Sequence, residues 1–437
     1  MCRPGNPPTS KTLTTIQPDD HNSMDTNSPK SPVLDQNASQ PLNDVPRSDD
    51  SQETWLYPNA FANELQSVPE LPEATIRQTL AVAWEYTRSV IPVYTNRSRY
   101  LAFIRLIIVG IVAEFNGALV DISHSDAVLG YDLAALFTAL FPTSPPLRDA
   151  MARDYRTFIL TTAEKTSGRQ SSSELFRRYT SALAESPKAW FRIRDADAIV
   201  RFSLAAALAC NDVMTEEVWF AEEQLQVLAE VGCTLYDAVA FYKHRAEGET
   251  NDTFAYVDPG LRAEAYRRAR EVLWALDVAW AEAPEYLPVL NFLRPFGGPI
   301  HMTMGRYRFV EEGLTIGRPE TEDVIFATRR HVKLWNRVDW REEGGLDDGS
   351  YREAIRQSDR LLFDGLSELL QRQEPGRQRC DRCRYRMAYG AQRLGEFGGV
   401  ELCSGCNEEW RLYIESLPRR AAEAFPELRG TQIRLGR

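Results

Sequence analysis

The sequence lacks a long hydrophobic run, an excess of positive charge and a signal-like N-terminus. Its longest apolar stretch runs from Leu101 to Ala113 and is interrupted by Arg105. A helix needs about 20 residues to cross a bilayer core, so this stretch predicts a buried helix and no membrane span. With 51 Lys plus Arg against 62 Asp plus Glu, the net charge of -11 disfavours nucleic acid as the main partner. Because residues 1–30 contain no apolar signal segment, we expect a cytoplasmic location.

Cysteine is also scarce, and its odd count of 7 excludes a framework made only of disulfides. Four of the cysteines form two Cys-x-x-Cys pairs separated by a segment rich in glycine: Cys380, Cys383, Cys403 and Cys406. Two such pairs supply the four thiolates of a closed, tetrahedral structural zinc site. The spacing therefore predicts a zinc-ribbon or treble-clef-like module.

The chain divides into three predicted parts. Residues 1–53 are rich in Ser, Asn and Pro and carry eight acidic and four basic residues, which predicts a disordered tail. Residues 54–372 show apolar positions at three- and four-residue steps, which predicts an all-α domain, with single helices over 216–247 and 353–370 among others. Residues 373–437 hold the cysteine module and a C-terminal helix.

One predicted helix carries a polar stripe. Asp237, His244, Glu247 and Asn251 follow one another at steps of seven, three and four residues, so they share one helical face. Such a face can hold Mg²⁺ through carboxylates or pass a proton. A solvated surface face explains the same pattern equally well.

Arginines flank carboxyl or phenol groups at two places. Arg192 and Arg194 adjoin Asp195, and Arg306 adjoins Tyr307. Guanidinium groups bind phosphate oxygens through two parallel hydrogen bonds, so either cluster suits a diphosphate. Ordinary ion pairs with nearby acids remain the alternative.

Several motifs together resemble the fungal α-ionylideneethane synthases, sesquiterpene synthases of abscisic acid biosynthesis. The motifs are Ala83 to Arg88, Ala113-Glu114-Phe115, Leu129 to Asp132, Thr234 to Asp237, Phe241 to Asn251, Phe296 to Met302 and Gly398 to Cys403. A weaker, local resemblance links Tyr236 to His244 and the pair Arg306-Tyr307 to class I terpene synthases such as trichodiene synthase. The resemblance implies a terpene-synthase-like helical bundle with a C-terminal zinc module.

The resemblance further implies an enzyme that converts farnesyl diphosphate to α-ionylideneethane with catalytic Mg²⁺. Glu114 is the first candidate Mg²⁺ ligand, followed by Asp195 and Asp237. The candidates for binding the diphosphate are Arg192, Arg194, Lys243, Arg306 and Tyr307. The usual Asp-Asp-x-x-Asp motif of class I terpene synthases is absent from the sequence. Downstream pathway oxygenases are conceivable partners, although no residue identifies them.

In this family the product is thought to form through neutral β-farnesene and allofarnesene. Such a route requires a group that takes up a proton and returns it, and Asp237, His244 and Glu247 are the candidates. The competing hypothesis is a non-enzymatic regulatory or scaffold protein whose zinc module binds nucleic acid or protein. Its supporting feature is the local net charge of the segment from Gly376 onward, which holds twelve Arg and eight acidic residues.

Overall fold

The computed structural model describes residues 57–166, 173–182, 185–213, 218–247, 252–255, 261–300, 348–372, 380, 382–386 and 399–431. All of them belong to one compact unit that spans Thr54–Arg437. The predicted tail, residues 1–53, lies outside the described residues. The three-part division of the chain stays a prediction.

Helices dominate the described residues, which confirms the all-α prediction. In chain order they are α1 (Glu73–Val90), α2 (Arg97–Phe115), α3 (Leu133–Leu140), α4 (Pro145–Thr166), α5 (Glu174–Ser181), α6 (Pro187–Asp197), α7 (Val200–Cys210), α8 (Glu222–Glu247), α9 (Leu261–Ala279), α10 (Leu287–Leu293), α11 (Gly349–Arg356), α12 (Ser358–Leu361), α13 (Leu366–Arg372), α14 (Ser404–Glu415) and α15 (Leu417–Ala424).

The most apolar helix, α2, lies at the centre of the bundle. The side chain of Asn96 caps its first turn by accepting a hydrogen bond from the backbone N–H of Arg99 at 3.1 Å. Its apolar residues are buried all around the helix, against α1, α3, α4 and α7. No helix in the described part of the chain is both long and apolar enough to span a membrane.

Two predicted helices differ from the observed ones. The segment predicted as one helix over 353–370 is three short helices, α11 to α13. Its second break is stabilised by Thr157, whose hydroxyl lies 3.1 Å from the carbonyl of Leu361 and 3.0 Å from the backbone N–H of Phe363. Helix α8 begins at Glu222 rather than at residue 216, because residues 218–221 are not helical.

Two short hairpins complete the described secondary structure. Strands β1 (Ala127–Val128) and β2 (Tyr131–Asp132) pair antiparallel around a turn at Leu129 and Gly130, both with positive φ. Strands β3 (Arg384–Arg386) and β4 (Gly399–Glu401) also pair antiparallel, between the two cysteine pairs.

The two C-terminal helices pack against the bundle. Helix α14 contacts α6 and α9, and α15 contacts α8 and α9. A buried ion pair fastens α15 to α8, since both Nη atoms of Arg420 donate to Glu230 at 2.7 and 2.8 Å. Burial raises the pKa of Glu230, and the Arg420 guanidinium opposes that shift. Helix α15 is therefore fixed to the helical domain by a charged contact as well as by apolar packing.

Candidate functional site

The junction between α6 and α7 positions the first group of candidate residues. Ile199 adopts a left-handed backbone conformation with φ of 47°, which is unusual for a β-branched residue. The turn brings the Asp195 carboxylate onto the start of α7, where it accepts the Arg201 backbone N–H at 2.9 Å and its Nε at 2.5 Å. Strain of this kind persists only where surrounding contacts stabilise it.

Arg194 and Asp237 form a buried ion pair between α6 and α8. Arg194 Nη2 donates to Asp237 Oδ1 at 2.7 Å and Nε donates to Oδ2 at 3.1 Å, the two-bond geometry of a guanidinium and a carboxylate. Arg194 also pairs with Asp197 on its own helix. Arg194 and Asp237 are 5% and 0% exposed, so the charge of each requires the other.

Thr253 completes the hydrogen bonding of Asp237. Its backbone N–H and its hydroxyl donate to Asp237 Oδ2 at 3.0 and 2.7 Å. The Thr253 hydroxyl in turn accepts the indole N–H of Trp190 at 3.0 Å. Both oxygens of Asp237 are therefore engaged by protein donors.

His244 lies one heptad after Asp237 on α8 and contacts the residue that precedes Thr253. Its Nδ1 is 2.8 Å from Oδ2 of Asp252, and both side chains are buried. Oxygen or nitrogen atoms of Asp237, His244 and Asp252 all lie within 4.8 Å of one another, close enough to share a cation. In the described arrangement the guanidinium of Arg194 already supplies the positive charge beside Asp237.

Aromatic rings border this buried cluster. The rings of Tyr236 and His244 are 5.8 Å apart, and Phe296 meets Tyr236 edge-on at 6.1 Å. Such rings stabilise a nearby cation through their quadrupoles. The surroundings of His244 thus combine one imidazole with carboxylates and aromatic faces.

Arg192 points to a different place, a cavity of about 710 Å³ next to α4. There its Nη2 forms an ion pair with Oδ1 of Asp154 at 2.6 Å, and its guanidinium lies over the ring of Phe363 at 3.8 Å. Burial raises the pKa of Asp154, although Arg192 and Arg201 oppose the shift. Arg192 Nη1 makes no hydrogen bond and reaches only the Asp195 carboxylate, at 3.6 Å. A cavity of this size suits a small-molecule ligand, and its lining holds three arginines and three carboxylates.

Glu114 lies at the C-terminal end of α2, half-buried. Immediately after it the chain crosses α4 closely, because the Gly117 N–H donates to the Thr166 hydroxyl at 3.0 Å. A Cβ at Gly117 would lie 2.1 Å from the Ala163 carbonyl oxygen, so only glycine fits there. This contact fixes the position of the helix end that carries Glu114.

The predicted site residues therefore fall into separate groups. Arg194, Asp237 and His244 come together in one buried cluster. Arg192, which borders the cavity, and Arg201 both pair with Asp195. Outside the described residues lie Arg306, Tyr307 and the side chains of Lys243 and Glu247.

Sequence reasoning missed four polar residues that complete these groups, namely Asp154, Arg201, Asp252 and Thr253. For two of them the sequence offers only the dipeptide Asp252-Thr253, shortly after the polar stripe of α8. No helical or strand periodicity singles this dipeptide out.

The four predicted cysteines converge on one point, as their spacing predicted. Their Sγ atoms all lie within 4.8 Å of one another. Cys380 Sγ and Cys403 Sγ are 3.6 Å apart, close to the edge of about 3.8 Å for a tetrahedron with zinc–sulfur bonds of about 2.3 Å. This cluster can bind a metal ion, and its geometry fits zinc.

A backbone hydrogen bond favours a thiolate at Cys403, whereas burial raises the pKa of Cys383 and of Cys406. The Cys403 N–H donates to Cys383 Sγ at 3.4 Å. A backbone hydrogen bond from Cys406 lowers the pKa of Cys403 to about 6. The second cysteine pair begins α14, and the first precedes β3, an order typical of a treble clef. By contrast, Cys210 and Cys233 are buried in helices and behave as small core residues.

Several arginines of the C-terminal helices are engaged in ion pairs. Arg411 pairs with Glu408 and Glu415, and Arg419 pairs with Glu423. Arg420 is bound to buried Glu230. These pairs engage three of the twelve arginines that the sequence holds from Gly376 onward.

Comparison with known proteins gives one consistent family. A family model described as "Aba3: Alpha-ionylideneethane synthase aba3" matches residues 53–427. A protein of Botryotinia fuckeliana named alpha-ionylideneethane synthase aba3 is 54% identical over 385 residues, covering 88% of this chain and 86% of the relative. Proteins named alpha-ionylideneethane synthase abl3 are 52% identical in Leptosphaeria maculans (86% of this chain, 87% of the relative) and 48% identical in Pyricularia oryzae (88% and 84%).

Proposed function

The chain belongs to the fungal α-ionylideneethane synthase family, and on that premise we propose that it converts farnesyl diphosphate to α-ionylideneethane in abscisic acid biosynthesis. The observation that carries the proposal is sequence identity of about one half to synthases of that name, over more than four fifths of the chain. The reaction removes diphosphate and closes a ring, so the enzyme acts as a lyase and a cyclase.

The diphosphate is the anionic end of the substrate, and guanidinium groups are the natural donors for it. Arg192 supports this role because its guanidinium borders the cavity and its Nη1 makes no hydrogen bond, reaching only the Asp195 carboxylate at 3.6 Å. Arg194, Lys243, Arg306 and Tyr307 remain proposed contacts. Arginine donors stabilise the negative charge that develops as the carbon–oxygen bond ionises.

Mg²⁺, when bound, neutralises the leaving diphosphate. Glu114 fits as a ligand, because it is a half-buried carboxylate at the end of the central helix. Asp195 and Asp237 remain proposed ligands, although each already accepts hydrogen bonds from an arginine on both oxygens.

Proton transfer is the second chemical requirement. A route through neutral β-farnesene and allofarnesene needs a base that takes a proton from carbon and an acid that returns one. We assign this role to His244, with Asp237 and Glu247 as the other candidates, because a buried imidazole beside carboxylates can hold the proton between the two steps.

Zinc in the four-cysteine cluster is proposed to be structural. All four ligands are protein sulfurs, which leaves no open position for water or substrate. The non-enzymatic alternative has no comparable support, since the basic helices of this module are engaged in ion pairs with neighbouring acids.

The test is a product assay on the purified full-length chain with farnesyl diphosphate and Mg²⁺. Gas chromatography with mass spectrometry should show α-ionylideneethane. Glu114→Gln should reduce turnover by at least about a hundredfold while circular dichroism stays unchanged. A folded, zinc-containing wild type that yields no hydrocarbon would overturn the proposal, and full activity in Glu114→Gln would remove that residue from the metal site.

A further inference from the structure

His244 and Asp252 form a buried pair that the sequence pattern did not reveal. The imidazole is 5% exposed and the carboxylate 0% exposed, with Nδ1 and Oδ2 at 2.8 Å. The two residues are eight positions apart, and Asp252 lies beyond the end of α8. A tertiary contact therefore creates the pair.

The chemistry of the contact fixes the imidazole tautomer. An ionised carboxylate only accepts hydrogen bonds, so Nδ1 of His244 must carry the hydrogen that it donates to Asp252. The opposite nitrogen, Nε2, is then the basic one. A carboxylate in this position also stabilises the imidazolium that forms when Nε2 takes up a proton.

Asp252 is itself held in place by its neighbours. Its Oδ1 accepts the backbone N–H of Phe254 at 2.8 Å. The adjacent Thr253 is fixed by two hydrogen bonds to Asp237 and one from Trp190. The short 3-10 helix Thr253–Ala255 thus presents Asp252 to His244 in one defined orientation.

Asp237 and Asp252, the two carboxylates of the cluster, have different partners. Arg194 binds Asp237 through both of its oxygens, so the charge of Asp237 is balanced by the guanidinium. Asp252 is the carboxylate in contact with the imidazole. Among the carboxylates of the described residues, Asp252 is therefore placed to stabilise positive charge on His244 by direct contact.

The geometry points to Asp252 as the positioning residue of a His244–Asp252 dyad that stores and returns the proton of the cyclisation. The inference rests on the proposed function and deepens it, because it names the pair of residues that makes neutral intermediates possible in one pocket.

The steps balance without an added reactant. After ionisation of farnesyl diphosphate, a C–H bond of the allylic cation breaks, its electron pair forms a carbon–carbon double bond, and Nε2 of His244 takes the proton. In each of the two return steps a double bond of the neutral acyclic tetraene supplies the electron pair for a new C–H bond, His244 becomes neutral again, and a further deprotonation by His244 follows. The second of these deprotonations releases the hydrocarbon, so the net loss is one proton and one diphosphate.

The test separates ionisation from cyclisation in one set of variants. Wild type, Asp252→Asn, Asp252→Ala and His244→Gln are assayed with farnesyl diphosphate and Mg²⁺ for diphosphate release and for cyclic hydrocarbon. The control is Asp359→Asn, the same change in an exposed carboxylate of α12 that does not line the cavity next to α4. Cyclic product should fall by about a hundredfold or more in the three dyad variants. Diphosphate release should fall by less than about tenfold, with acyclic products in place of the ring, and the control should match wild type.

Two results would overturn the dyad while leaving the proposed function intact. The first is cyclic product in Asp252→Asn within about threefold of an active wild type. The second is a parallel fall of diphosphate release and cyclic product in folded variants, which indicates a structural role only. A wild type that forms no hydrocarbon overturns the proposed function and the dyad together.

A measurement on the unaltered protein covers the case in which the variants do not fold. The chain has only 5 histidines, so ¹⁵N-histidine labelling resolves their tautomers by NMR. The dyad requires His244 to carry its neutral-state hydrogen on Nδ1. A hydrogen on Nε2 instead would overturn it.

Discussion

Trp190 and Trp410 meet at the contact between α6 and α14, with ring centroids 6.5 Å apart. Helix α14 begins at the second cysteine pair, and α6 carries the arginines of the buried cluster. The Trp190 indole N–H also donates to the Thr253 hydroxyl, which donates to Asp237. Direct contacts therefore connect the helix of the second cysteine pair with the candidate site. The helix that carries the second cysteine pair thus packs directly on α6.

The contact between α6 and α14 leads to a prediction about the effect of metal loss on stability. In the double variant Cys380→Ser/Cys403→Ser we expect zinc content to fall from about one per chain to near zero and the thermal midpoint to drop, because structural zinc contributes directly to folding. Any remaining activity should give the same product, since no cysteine contacts the reacting carbons in the proposed mechanism. Zinc analysis, thermal unfolding and product analysis measure the three effects.

Cys2→Ser is the matched control, because Cys2 is not part of either cysteine pair. It should retain zinc and stability. A double variant that keeps one zinc per chain, or one with unchanged stability after zinc loss, would contradict the structural role.

The Arg194–Asp237 pair gives a second prediction. Removing one partner of a buried ion pair leaves an uncompensated charge, so Arg194→Met and Asp237→Leu should each lose about 3–5 kcal/mol of unfolding free energy. The double variant Arg194→Met/Asp237→Leu should recover part of that loss but no activity. Urea unfolding and the product assay measure the two quantities. Single variants that lose less than about 1 kcal/mol, or a double variant whose losses simply add, would show that the two side chains are not coupled.

Whether a feature could be predicted from the sequence depends on how far apart along the chain its interacting residues lie. The apolar period of α2 and the spacing of the four cysteines are local patterns, so both the helix and the cluster were predictable. Likewise, Asp237 and His244 share a helical face because they are seven residues apart on α8.

The partners of these residues were not predictable in the same way. Arg194 and Asp237 are 43 positions apart, and only the packing of α6 on α8 brings them together. Asn251 was assigned to the polar stripe on the assumption that the helical period continues. Asn251 lies outside the described residues, and the described hydrogen bond of His244 is with Asp252, which follows α8.

Asp212 provides a prediction about pH. Its carboxylate accepts hydrogen bonds from Asn96, Thr95 and Arg99 at 3.0, 2.8 and 3.0 Å, which ties the end of α7 to the start of α2. The bonds from Asn96 and Thr95, with the charge of Arg99, lower the pKa of Asp212 below its ordinary value. A lowered pKa in the folded state means that the stabilisation is present above about pH 4 and is lost as the pH falls through the folded-state value.

The Asp212→Asn variant should therefore be less stable than wild type at neutral pH. Its stability should also decrease less than that of wild type as the pH is lowered. The expected loss at pH 7 is at most about 1 kcal/mol, because the Asp212 side chain is 49% exposed and solvent screens its charge. The thermal midpoints of wild type and variant, measured from pH 7 to pH 3, should converge at the acidic end. Two curves that stay parallel over the whole range would show that Asp212 does not contribute to acid sensitivity. Thr95→Val removes one of the donors to Asp212 and should give an intermediate curve, since the bonds from Asn96 and Arg99 remain.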